Sequence, residues 1–108
     1  MGVGVRRGSI LQYLVGSHRL RVVVVTADRY NPGRGLVAPL RERAAPDLTP
    51  AFLVPLTFQD WPTAAVIDLS RVRSLDPVSI AGQAGQLTHA TLGTLTIAVR
   101  TYLGAADQ

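Results

Sequence analysis

At 108 residues, 47% of them apolar and none cysteine, the chain has material for one modest core in a single domain over 1–108. It cannot form disulfides or thiolate metal sites, and no apolar run approaches the roughly 18 residues that span a bilayer. All 11 basic residues are arginine against 7 acidic ones, and the net charge of +4 favours acidic partners, either RNA or a negatively charged peptide.

Arg6 and Arg7 precede only a short apolar stretch broken by Gln12 and Gly16, so no signal peptide is expected, and a cysteine-free chain suits a reducing cytoplasm. Residues 8–15 read as a first strand, with Ile10 and Leu14 set off by Ser9 and Gln12, and residues 16–18 as the turn after it. Four consecutive valines at 22–25 have the χ1 stiffness that favours a pleated surface and predict a strand buried on both faces. Asn31-Pro32-Gly33 marks a turn within 28–35. Residues 36–40 predict the next strand, stopped by Arg41-Glu42-Arg43, and 44–50 a loop. A strand over 52–56 is confined to a sheet edge or a bulge by Pro55, which has no amide hydrogen to donate. A loop at 58–63 holds the only tryptophan, two further extended pieces follow at 64–69 and 71–75, and Asp76-Pro77 ends the pattern. Six short extended pieces between Gly/Pro turns imply a small β-barrel or a strongly bent sheet.

The C-terminal segment fits two templates. Residues 94–101 alternate as a strand would, yet Leu92, Leu95, Val99, Tyr102 and Leu103 also form one helical stripe, with Thr88 as N-cap and Gly104 just past the end. Sixteen residues over 88–103 would be unusually long for a strand.

Three stretches resemble the PemK/MazF toxins of bacterial toxin–antitoxin pairs. Arg7-Gly8-Ser9-Ile10 is similar to the arginine–glycine–aspartate–isoleucine opening of the family's first strand. The valine-rich strand running through Thr26 and Asp28 into Tyr30-Asn31 matches a family strand that ends in an aromatic–asparagine pair. Gly85, Leu87, Leu92, Leu95, Val99, Leu103 and Gly104 fall on its final glycine-to-helix pattern. The resemblance implies a mainly β fold with a C-terminal helix, a small SH3-like barrel of the CcdB/PemK type. It also implies a homodimer, a cognate acidic antitoxin bound in an extended groove, and cofactor-free, metal-independent cleavage of single-stranded RNA. In that chemistry the RNA's own 2′-hydroxyl attacks the adjacent phosphorus, so the enzyme supplies a base, an acid and positive charge for the oxyanion, a role that suits arginine's planar fork.

The chain departs from the family where the family keeps its catalytic arginine–proline pair and threonine: those columns hold Leu20-Arg21 and Arg41. A literal match to the threonine motif, Val54-Pro55-Leu56-Thr57, lies one strand further on. A one-residue shift makes Arg19 or Arg21 the replacement, with His18 as acid or base, and Arg41, Arg71 and Arg73 as RNA-binding residues along one groove. His89 reads as structural. Phe58 and Trp61 are expected to plug the barrel or anchor a dimer rather than stack on bases. Two alternatives stay open. One is a catalytically silent antitoxin-binding module, and the other a CcdB-like toxin acting on DNA gyrase, against which stands the absence of a tryptophan from the end of the final helix.

Overall fold

The structure, a computed structural model, describes residues 5–26, 35–42 and 52–102. Strands β1 (Ser9–Val15) and β2 (His18–Val24) form a hairpin closed by Gly16-Ser17, with positive φ (61°) at Gly16 alone, which is the two-residue turn whose twist matches its strands. β2 continues antiparallel to β3 (Leu36–Glu42), with Val22, Val23 and Val24 opposite Pro39, Ala38 and Val37. Beyond β3 lie β4 (Leu53–Pro55), β5 (Ala65–Asp68), the two-residue β6 (Arg73–Ser74) and β7 (Ile80–Gln86), and then helix α1 (His89–Tyr102). The strand order is β4-β5-β3-β2-β1-β7, all antiparallel, with β6 on β3.

The valine run is buried on both faces, as its composition predicts, and each face has its own core. Val23 and Val25 join Ile10, Ala38, Ile67 and Leu95 under α1, whereas Val22 and Val24 join Leu11, Tyr13 and Val37 on the other side. The second face is tied down by the buried Tyr13, whose hydroxyl accepts from the Asp76 amide at 2.7 Å and donates to the Ser74 carbonyl at 3.2 Å.

The helical reading of the C-terminal segment holds. Thr88 caps α1 by accepting from the Thr91 amide at 3.3 Å, and Leu92, Leu95 and Val99 turn into the core while Tyr102 tilts onto Phe52, with ring centroids 5.6 Å apart. Pro55 ends β4 at the sheet edge, as its missing donor requires. Two expectations need correction. The sheet is not closed into a barrel: β4 and β7 stand at opposite ends of the order, so the sheet is open. β7 was not expected, because Ile80-Ala81-Gly82-Gln83-Ala84-Gly85-Gln86 has only one β-branched residue and no alternation; it forms by pairing with β1 through two register shifts. The turn around Asn31-Pro32-Gly33, the loop over 44–50, the Tyr30-Asn31 pair, Leu103 and Gly104 lie outside the described residues.

Gly8 shows how closely the start of β1 approaches the helix. Its φ is +85°, its amide donates to the Val24 carbonyl at 2.8 Å, and a Cβ there would lie 2.6 Å from Leu92 Cδ2. Gly8→Ala is therefore expected to cost about 1–3 kcal/mol, read as a drop of several degrees in thermal unfolding. Gly16→Ala, with positive φ but open space around its Cβ, should cost less. Equal losses at the two sites would remove Leu92 from the explanation.

Candidate functional site

Alternation along β1 and β2 sets the site. Gln12 lies opposite Arg21 and Leu14 opposite Arg19, all on the α1 side of the sheet by parity with Ile10 and Val23. With Tyr13, Leu20 and Ala81 of β7 they line a groove of about 360 Å³. The strand that carries both arginines runs on into the buried valines, a rigid support, and Gly82 of β7 pairs with Gln12, where a side chain would meet nothing within 4 Å. The Arg21 guanidinium carbon sits 5.2 Å from the centroid of the Trp61 ring. Among the described residues Arg19 has neither a hydrogen bond nor an ion pair, and Arg21 has the Trp61 contact alone.

Trp61 is held there by a knot around Asp60, a carboxylate only 6% exposed. Its Oδ2 accepts from the Thr57 amide (2.8 Å), the Thr57 hydroxyl (2.9 Å) and the Thr91 hydroxyl (2.6 Å), and its Oδ1 from the Thr88 amide (2.7 Å). Burial pushes the Asp60 pKa up, but the bonds from Thr91, Thr88 and Thr57 outweigh it and hold the carboxyl down at about 2. The knot ties the 57–61 turn to the N-terminus of α1, and the Trp61 amide donates to the Thr57 carbonyl at 3.1 Å. Trp61 packs against the core of the open sheet rather than plugging a barrel, and Phe58, three residues before it, is exposed. Sequence reasoning passed over Asp60; the Thr57-x-x-Asp60 spacing, typical of a side-chain-closed turn, was the available signal.

The other expected site residues are placed differently. His18 opens β2 opposite Val15, with the alternation of Leu20 and Val22 and so on the face away from Arg19. Arg41 and Arg71 converge on the buried Asp68, their Nε atoms 3.6 and 3.7 Å from its Oδ2, while Oδ1 accepts from the Ser70 amide and hydroxyl. Arg73 lies on β6 opposite Val37, on the Tyr13 face. Arg71 ends a short 3₁₀ turn rather than sharing a strand with Arg73. By alternation, then, Arg19 and Arg21 share one face of the sheet and Arg41 and Arg73 the other, so the five arginines do not line a single groove. Arg41, in the family's threonine column, is directed to Asp68. Among the described residues no three His, Asp or Glu side chains gather as metal ligands, and no helix is long and apolar enough to cross a membrane.

No protein-family model matches the chain, and no curated protein matches its sequence. Solved structures do match its fold. An endoribonuclease in complex with its cognate antitoxin, from a mycobacterial species, superposes with a TM-score of 0.73 at 20% identity, over 92% of this chain and 94% of that one. The Mycobacterium tuberculosis toxin MazF-mt6 gives 0.70 at 18% identity, over 91% and 97%, and an Mtb toxin 0.68 at 16%, over 85% and 97%. The open antiparallel sheet with its C-terminal helix is thus the MazF-like toxin fold, which bears out at the level of fold the resemblance read from the sequence.

Proposed function

We propose that the chain is the toxin of a toxin–antitoxin pair and cleaves single-stranded RNA in the Arg19–Arg21 groove by 2′-hydroxyl attack, without a metal ion. The observation that carries this reading is the superposition on an endoribonuclease bound to its cognate antitoxin across 92% of the chain, with two unneutralised arginines on one rigid strand of the shared fold. Positive charge that is already in place before the phosphorane forms lowers its energy without reorganisation, and arginine stays charged throughout. The protein would act as a cytoplasmic homodimer, restrained by an acidic antitoxin whose carboxylates the same positive groove attracts. Purified protein incubated with single-stranded RNA in EDTA should release fragments ending in a 2′,3′-cyclic phosphate, the product that attack by the adjacent hydroxyl requires. RNA left intact at micromolar protein would sink the reading. One observation favours a second reading, a silent antitoxin-binding module: the threonine column holds Arg41, which pairs with Asp68, and the Thr57 hydroxyl of the displaced motif donates to Asp60.

A further inference from the structure

We infer that Trp61 is a positioning residue for Arg21, holding the guanidinium over its ring while leaving the N–H donors open to a phosphate; this rests on the reading of the groove as an RNA site. Arg19 and Arg21 are two residues apart on one strand face, so their like charges repel, and nothing in β2 itself would keep Arg21 over the groove. The ring of Trp61, 5.2 Å from the Arg21 guanidinium carbon, supplies the missing attraction. An aromatic ring attracts the guanidinium through its π face and takes up none of its five N–H donors as a carboxylate would. Among the described residues no acceptor takes those donors, in contrast to Arg41 and Arg71, which face the Asp68 carboxylate. The ring cannot drift, because the adjacent Asp60 is fixed by Thr57, Thr88 and Thr91, and the indole also approaches Gly85, at whose position a Cβ would lie 3.7 Å from Trp61 Cζ3. Arg21 is thus an anchored cation beside a free one, Arg19.

Trp61 is the only tryptophan, so its emission reads the contact directly. Arg21→Ala should shift that emission and Arg100→Ala, on the exposed side of α1, should not. An Arg21→Ala protein with unchanged emission overturns the contact. Function is read by a double-mutant cycle on folded protein. Trp61→Leu, which keeps apolar bulk without a π face, should lower kcat/KM for RNA by about tenfold, and Trp61→Phe, with a smaller face, should restore part of it. In an Arg21→Ala background Trp61→Leu should bring no further loss. The same loss in both backgrounds would make Trp61 a packing residue and overturn the inference. If the wild-type protein leaves RNA intact, the ribonuclease reading fails by itself. The cycle is then read on binding of a labelled 2′-deoxy oligonucleotide by anisotropy, where coupled losses uphold the inference and additive losses, or no binding, overturn it.

Discussion

Asp60→Asn is expected to destabilise the protein by about 3 kcal/mol, lowering the midpoint of thermal unfolding by roughly 10–20 °C at neutral pH. The carboxylate accepts four hydrogen bonds, three at Oδ2 and one at Oδ1, and all four partners are donors. An asparagine can present its carbonyl oxygen on one side only. Its amide group then faces either the Thr88 amide or the Thr57 and Thr91 donors, leaving at least one part-buried N–H without its partner, and the bonds that remain lose their charge assistance. The pH dependence provides an independent check. Because the folded pKa of about 2 lies below the ordinary 3.8, the carboxylate contributes stability that is complete above pH 4 and is lost as the pH falls toward 2. That difference corresponds to about 2 kcal/mol. Melting curves should show the gap between wild type and Asp60→Asn narrowing over this window. A gap that stays constant from pH 5 to pH 2 would mean that the charge of Asp60 is not what holds the turn to the helix.

Much of this fold was legible in local chemistry. Gly16-Ser17 between two apolar runs forms its hairpin, four valines make the doubly buried strand, and Pro55 stands at the edge where its missing donor does no harm. Helix α1 was not decidable from periodicity, since Leu95, Ile97 and Val99 alternate as a strand's apolar residues would; the Thr88 cap and the stripe of Leu92, Leu95 and Val99 kept the helix open, and the family resemblance decided for it. β7 lay beyond local reading for the opposite reason. Its small and polar residues carry little strand preference, and only β1, far away in sequence, makes it a strand. The site follows the same division. Arg19 and Arg21 share a face because they are two apart on a strand whose extent the sequence announces. That Arg41 meets Asp68, and that Trp61 reaches Arg21, depends on contacts between segments 27 and 40 residues apart, which no spacing rule encodes, whereas Arg71 reaches Asp68 from only three residues away.

Arg19→Ala and Arg21→Ala are each expected to slow RNA cleavage about a hundredfold, the scale of losing one oxyanion donor, while leaving the melting temperature almost unchanged. Both side chains are exposed, and among the described residues neither has an ion pair, so removing them deprives the fold of little. Their value lies in where the charge is held. The strand beneath them continues into Val22, Val23 and Val24, all fully buried, so the Cα positions are fixed to the core and only the side chains need be ordered on binding RNA. Of the two, Arg19→Ala should also spare the Trp61 emission, since only Arg21 touches that ring. His18→Ala makes a useful comparison. Its side chain starts on the far face of β2, and a contribution to proton transfer requires it to swing around the hairpin end, so a loss of less than tenfold is expected. Cleavage assays under single-turnover conditions, paired with growth inhibition on expression, decide the matter. Full toxicity in both arginine variants would move the chemistry out of this groove, and the ion-paired Arg41 on the opposite face of the sheet would become the residue to test.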